Sequence, residues 1–340
     1  MSSKKINQKD IAKKLNISPA TVSLVLSNPD TSRASQETKR RIFEYASRVP
    51  QNSTQADTIL MLTDESIIQF HYGNSLLSGA QSRSAELGLK FEMITPKQDL
   101  SQILATRKVR GLLLASWKVF EEKSAPKLTL PQRVVTLNIE RRAPFKGIGI
   151  MSDHYDGMSQ AIEKLKNAGH TRIAFLGYKM INTEKSCSRT KERIIIFNEA
   201  LEANGLNPSN SLSHLIRDPK QESIDRTEDI LKFLRTFKGK KRPTAVIAFN
   251  DILAAKVINL ATREGIKVPA DLSVIGIDNE PACENTIPAI TSISPEFVRM
   301  GRVAVNAIHD NHLWAPQDRP SRIVVPSTLV ERESIAAAAY

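Results

Sequence analysis

Cysteine is scarce in this chain: Cys187 and Cys283 are the only two in 340 residues, far apart and forming no C-x-x-C pair. That excludes a disulfide scaffold and a paired-thiol redox or zinc motif, and it suits free thiols in a reducing compartment. No run of about eighteen apolar residues occurs, so no membrane-spanning helix is expected. The sequence opens Met1-Ser2-Ser3-Lys4-Lys5 and continues polar, without an apolar stretch of signal-peptide length, which predicts a cytoplasmic protein. Catalytic signatures are missing as well: there is no G-x-S-x-G, no H-E-x-x-H and no Walker loop. Gly147-Ile148-Gly149 lacks the third glycine and the strand–helix setting of a dinucleotide loop. His309 and His312 stand three apart on a late predicted helix, with Asp310 the one carboxylate beside them, too few ligands for a metal site. Neither a cofactor nor an enzymatic activity is expected.

Positive charge is what the chain has in excess. Forty-eight Lys and Arg against thirty-six Asp and Glu give a net charge of +12, which favours a polyanionic partner, nucleic acid or an acidic membrane surface. The distribution narrows the choice, because Lys4, Lys5, Lys9, Lys13, Lys14, Arg33, Lys39, Arg40, Arg41 and Arg48 crowd the first fifty residues. Hydrophobic residues at 41% and charged ones at 25% are globular proportions, and the length exceeds what one hydrophobic core holds.

Up to Val49 the periodicity is helical throughout. Ile11, Ala12 and Leu15 share one face of a first helix, closed by Asn16. Ser18-Pro19 opens a second, since serine caps free N–H groups and proline lacks only a donor the first turn does not use. Val22, Val25 and Leu26 form its apolar face; Ser35 caps a third helix carrying Ile42, Tyr45 and Ala46, and Pro50 ends it. Residues 51–57 are polar and read as a linker. Beyond them, predicted strands at 58–62, 89–94, 111–115, 133–137, 147–151, 172–176, 244–249, 272–277 and 322–325 alternate with amphipathic stretches at 75–87, 155–168, 192–203, 222–237 and 252–263. This pattern predicts an α/β body of two doubly wound parallel-sheet subdomains below an all-α headpiece, with a ligand cleft between them.

The first two helices read as a helix-turn-helix. Ala12 is small where they cross, Ile17 plugs the turn and Val22 locks the second helix down. Thr21, Ser23 and Ser27 are hydroxyls suited to phosphate oxygens, and the second helix of such a unit enters the major groove N-terminus first. The candidate DNA contacts are Gln8, Lys9, Ser18, Pro19, Ala20, Thr21, Ser23, Leu24 and Ser27.

These residues resemble the lactose and galactose repressor (LacI-type) family. The likeness begins with Asp10-Ile11-Ala12 and Ser18-Pro19-Ala20-Thr21-Val22-Ser23. It continues through Asp156-Gly157, Ala168-Gly169-His170-Thr171-Arg172-Ile173-Ala174, Asn250-Asp251 and Ser273-Val274-Ile275-Gly276-Ile277-Asp278, and ends with Pro288-Ala289-Ile290-Thr291-Ser292-Ile293. The resemblance implies a transcriptional repressor that binds double-stranded operator DNA. Its headpiece would span 1–55. Its body, 56–340, would be like a periplasmic sugar-binding protein, forming a homodimer and holding a small-molecule effector, a sugar or sugar derivative, between its subdomains. One subdomain is expected at about 58–150 plus 291–315, the other at about 152–288 plus 322–330. Two positions depart from the family. Leu24 stands where arginine is usual, so Pro19, Ala20 and Leu24 offer an apolar set to thymine methyl groups. The short linker has no leucine to act as a minor-groove wedge. The alternatives are a solute-binding protein, which needs a secretion signal and no headpiece, and a regulator that works without a ligand.

In doubly wound sheets ligands sit at the carboxyl ends of strands. Asn138, Asn250 and Asp278 follow predicted strands, and by resemblance Arg193 occupies the family's effector-binding arginine position. Carboxylate, amide and guanidinium groups hold vicinal hydroxyls by paired hydrogen bonds. Tyr72, Ser116 and Trp117 follow the first and third strands and complete the candidate effector contacts, although Tyr72 and Trp117 read equally well as core. Asp251 reads as the cap of the helix that starts at Ile252.

Overall fold

The computed structural model describes residues 8–46, 56–115, 133–138, 147–179, 188–217, 227–235, 242–314 and 321–338. The chain forms two compact units, Met1–Met151 with Phe297–Val324 and Ser152–Glu296 with Val325–Tyr340.

Helices α1 (Gln8–Leu15), α2 (Pro19–Ser27) and α3 (Gln36–Ala46) make the headpiece. Asn16 turns the chain at a φ of +54°, a left-handed conformation that asparagine tolerates, and the Ile17 N–H then reaches the Ala12 carbonyl at 3.0 Å. Ser18 caps α2, its Oγ accepting from the Thr21 N–H at 3.0 Å, and Ser35 does the same for Thr38 at 3.2 Å. Ile11, Ala12, Val22, Val25, Ile42 and Phe43 close a single small core. A further contact has no trace in the sequence pattern. Helix α3 lies along α6 (Leu100–Thr106), Ala105 touches the headpiece core, and Lys39 and Phe43 face Asp99 and Gln102 across a cavity of about 360 Å³.

The first unit continues with β1 (Thr58–Leu62), α4 (Glu65–Ile68), α5 (His71–Glu86), β2 (Lys90–Ile94), α6, β3 (Val109–Leu114), β4 (Val134–Leu137) and β5 (Ile148–Asp153). The second holds α7 (His154–Asn167), β6 (Ile173–Lys179), α8 (Ser188–Ala203), β7 (Leu212–Arg217), α9 (Thr227–Arg235), β8 (Ala245–Ala248), α10 (Asp251–Arg263), β9 (Ser273–Ile277) and β10 (Thr291–Ser294). The chain returns to the first unit for α11 (Phe297–His309) and β11 (Arg322–Pro326), then adds β12 (Thr328–Val330) to the second. The sheets run β11-β5-β4-β3-β1-β2 and β12-β10-β9-β8-β6-β7. Within them β1 pairs in parallel with both β2 and β3, β6 with β7 and β8, and β9 with β8 and β10, while β12 runs antiparallel to β10.

All nine predicted strands are present; β7, β10 and β12 are additions. Two placements are corrected. Residues 291–294, expected with the first subdomain, form β10 of the second sheet, because Thr291, Ser292 and Ile293 pair with Ile275, Gly276 and Ile277. The segment 322–325, expected with the second, lies in β11 at the edge of the first sheet, beside β5. His309 ends α11 whereas His312 opens a separate 3₁₀ turn, so the two histidines share no helix face.

Each sheet is covered by helices through continuous apolar runs, as parallel strands require. In the second unit α7 and α8 bury Ile162, Leu165, Phe197 and Leu201 on one face. On the other, α9 and α10 bury Ile230, Phe233, Val257 and Ala261. Each such side chain is worth about 1.5–3 kcal/mol when fully buried. In the first unit α5 and α11 cross at Gly79 and Gly301, where a Cβ would stand 2.0 Å from the Val298 carbonyl oxygen and 2.2 Å from that of Leu76. His170 pins the second unit's tail, its ring nitrogens 2.7 Å from Thr244 Oγ1 and 3.0 Å from the Ala336 carbonyl, and burial lowers its pKa.

Candidate DNA-binding face and effector site

The capped start of α2 leaves Ser18, Pro19 and Ala20 exposed, while Thr21, Ser23 and Leu24 are half-buried. Ser18 and Thr21 hydroxyls lie 2.8 Å apart, and Ser27 Oγ turns back to the Leu24 carbonyl at 3.2 Å. Gln8 and Lys9 are exposed at the start of α1. The headpiece's cations do not all face solvent in the same way. Lys39 is 7% exposed, and Arg40 is paired with Glu37 at 2.9 Å and Glu44 at 3.3 Å. Lys9, Lys13, Lys14, Arg33 and Arg41 are exposed.

In the second unit the loops after β8 and β9 and the second turn of α8 converge. Arg193 is 8% exposed, so it is no solvated surface charge. Its guanidinium stands 4.2 Å over the Phe249 ring, donates to the Phe249 carbonyl, and lies 3.6 Å from an Asp278 carboxylate oxygen. Phe249 and Tyr178 meet edge-on at 5.4 Å, giving this corner an aromatic wall. A charged pair held against an aromatic ring is suited to a polar ligand with one apolar face.

Asn250 follows directly, and here the capping assignment is corrected. Asn250, not Asp251, caps α10: its Oδ1 accepts from the Leu253 N–H at 3.0 Å. Its oxygen is thus committed, and its NH₂ is the group suited to a ligand. Asp251 is instead buried, accepting from Ser292 Oγ and the Glu280 N–H. Sequence reasoning passed over it because an Asp before a helix looks the same whether it caps or is buried. Burial pushes its carboxyl up to about 6, with hydrogen bonds from Ser292, the Glu280 amide and the Cys283 thiol pulling the other way.

The remaining candidates sit in the first unit. Asn138 follows β4 at a φ of +52°, its N–H bonded to the Ile150 carbonyl at 2.9 Å. Tyr72 is in the first turn of α5, stacked on Phe70 at 6.0 Å and tilted against Phe297 at 5.7 Å, a packing role. Ser116, Trp117 and linker positions 47–55 lie outside the described residues. A cavity of about 660 Å³ lies between α9, α10 and the 281–285 turn, and Asp251, Glu280 and Cys283 line it together with Ile230, Ile252 and Ile290. Among the described residues no group of three or more His, Cys, Asp or Glu is arranged to hold a metal, and no helix is long and apolar enough to cross a membrane.

A capped, basic three-helix head with an exposed second helix, joined to two parallel-sheet units, defines a helix-turn-helix transcription regulator with a binding-protein-like body. Comparison with known proteins agrees. Residues 7–49 match bacterial regulatory proteins of the lacI family, and residues 162–335 match the periplasmic binding protein-like domain. The transcriptional regulator DegA of Bacillus subtilis is 28% identical over 341 residues, covering 96% of both chains. The lac repressor dimer bound to operator and an anti-inducer has the same fold, at 21% identity and a TM-score of 0.62 over 98% of this chain and 100% of that one. So has a ribose-bound regulator from Enterococcus faecium, at 21% identity and a TM-score of 0.61 over 83% of this chain and 100% of that one. The chain belongs to the lacI family of DNA-binding transcription regulators.

Proposed function

We propose that this regulator is a cytoplasmic, homodimeric repressor whose grip on its operator is set by a sugar or sugar derivative held by Arg193, Asn250 and Asp278, and that it catalyses no reaction. The observation that carries the reading is the buried Arg193 held against Phe249 and facing the half-buried Asp278 carboxylate. A guanidinium supplies a fork of donors and a carboxylate two acceptors, so together they hold adjacent hydroxyls in both hydrogen-bonding senses. Asn138, Ser116 and Trp117 are further contacts by their sequence positions, whereas Tyr72 packs on Phe70 and Phe297. At the other end, Pro19, Ala20 and Leu24 meet base edges, while Gln8, Lys9, Ser18, Thr21, Ser23 and Ser27 meet the backbone.

The ribose-bound relative supports a carbohydrate, and the operator-bound lac repressor dimer supports a two-fold complex on a pseudo-palindromic site. The test is a thermal-shift screen of the full chain against monosaccharides, sugar acids, sugar phosphates and purines. Each hit is then added to an operator gel shift. A compound that stabilises the protein and changes operator affinity supports the proposal. A purine as the sole hit would replace the sugar, and DNA binding that survives removal of residues 1–55 would overturn the headpiece assignment.

A further inference from the structure

We infer that Asp251 is a positioning residue for the effector site: its carboxylate clamps the turn at 278–280 and thereby aims Asp278 at Arg193. The inference rests on the proposed reading of Arg193 and Asp278 as effector contacts.

The clamp is built from two hydrogen bonds and a relay. Asp251 opens α10 at 3% exposure; one carboxylate oxygen accepts from the Glu280 N–H at 2.7 Å and the other from Ser292 Oγ at 2.6 Å. Ser292 Oγ in turn accepts from the Asn279 N–H at 3.0 Å. One buried carboxylate therefore holds both backbone amides that follow Asp278, one directly and one through a hydroxyl.

Those amides belong to a turn that needs holding. Asp278 and Asn279 have φ values of +104° and +48°, two successive non-glycine residues on the left-handed side, a costly arrangement that persists only where its surroundings enforce it. The far end of the turn is tied separately, with Arg332 Nη2 donating to Asn279 Oδ1 at 3.0 Å. The neighbouring strand leaves room for the clamp: a Cβ on Gly276 would stand 1.9 Å from an Asp251 carboxylate oxygen. A side chain there would push the carboxylate off its donors.

The choice of a carboxylate is informative. Asn250 already caps α10, so Asp251 has no capping task. No ion pair to Asp251 occurs among the described residues, and a buried carboxylate without a cation is a stability cost that asparagine avoids. What the ionised group offers over asparagine is acceptance on both oxygens, and so stronger bonds to both donors. Preorganising a ligand carboxylate at some expense of stability is the usual trade at a binding site.

The test uses the full chain with Asp251→Asn, Asp251→Ala, Ser292→Ala and Asp278→Asn, and D-ribose, D-glucose and D-glucose 6-phosphate as probes. Hydrogen–deuterium exchange at Asn279 and Glu280 reads the clamp, and calorimetry reads probe affinity. Exchange at both amides should rise at least tenfold in Asp251→Ala, and at Asn279 in Ser292→Ala. Probe affinity should fall at least tenfold in Asp251→Asn while that variant's thermal stability at pH 8 rises. A merely structural residue would move affinity and stability in the same direction. Unchanged exchange at both amides in Asp251→Ala overturns the clamp. Raised exchange with unchanged probe affinity in Asp251→Asn overturns its role at the effector site. Unchanged probe affinity in Asp278→Asn overturns instead the effector reading itself, and is told apart because asparagine tolerates the positive φ and exchange at 279–280 stays normal in that variant.

Discussion

Replacing Asp251 by asparagine separates the charge of this buried group from its shape, and the consequence for stability follows from its titration. Burial lifts the carboxyl from 3.8 to about 6. A raised folded-state pKa means that folding favours the neutral form. The associated stability is complete below the unfolded value near 3.8 and is lost as pH rises through about 6. Roughly two units at about 1.4 kcal/mol each amount to about 3 kcal/mol lost by pH 8. Asparagine mimics the neutral form at every pH. The variant should therefore be more stable than the parent by up to about 3 kcal/mol at pH 8, the gap shrinking to about half of that at pH 5. His170, His214 and His309 all have pKa values lowered mainly by burial, so their contribution falls as pH drops, opposite in sense to Asp251. They are common to both proteins and cancel in the difference. Of the titratable groups facing Asp251, Glu280 raises its pKa, while the buried Cys283 thiol, itself pushed up and so neutral throughout, donates to the carboxylate and lowers it. Urea denaturation of both proteins at pH 5, 6, 7 and 8, with hydrogen exchange to locate the change in the second unit, measures the gap. A gap that is constant with pH, or that widens as pH falls, refutes the reasoning.

Arg193→Ala should leave operator affinity nearly intact and weaken the stabilising sugar at least tenfold by calorimetry, since losing a charged hydrogen-bond partner costs about 1.5–3 kcal/mol. Operator affinity should fall steeply with salt, with a log–log slope on the order of −6 to −10 if the headpieces contact that many phosphates, and a shallow slope in gel shifts would contradict the phosphate role of the exposed cations. Ala105→Glu should break the packing of α6 on the headpiece core, accelerating hydrogen exchange in α3 while leaving both sheets protected. Because residues 51–57 contain no large apolar side chain, a circular-permutation gel assay should show operator DNA bent far less than a leucine-wedged duplex, and a central kink of several tens of degrees would show that another element wedges it.

Much of this protein was legible from local chemistry. Ser18-Pro19 could only open a helix, Asn16 could turn the chain at positive φ, and the alternation of apolar strands with amphipathic helices specified parallel sheets, because these signals act within a few residues. Arg193 and Asp278 were likewise visible as family positions. What the tertiary structure alone decided were relations between distant segments. Thr291–Ser294 became a strand of the second sheet through pairing with Ile275–Ile277, although a run of Thr-Ser-Ile-Ser carries little strand signal of its own. The helix cap fell to Asn250 rather than Asp251 because Ser292 and the Glu280 amide, far along the chain, supply donors that draw the Asp251 carboxylate inward and leave its neighbour to cap the helix. The seat of α3 on α6 is of the same kind: a lysine stem and a phenylalanine look like headpiece surface and headpiece core until a helix sixty residues on covers them. Propensity and capping are properties of neighbours in sequence, whereas burial and hydrogen-bond partnership are properties of neighbours in space, and only the folded chain brings those together.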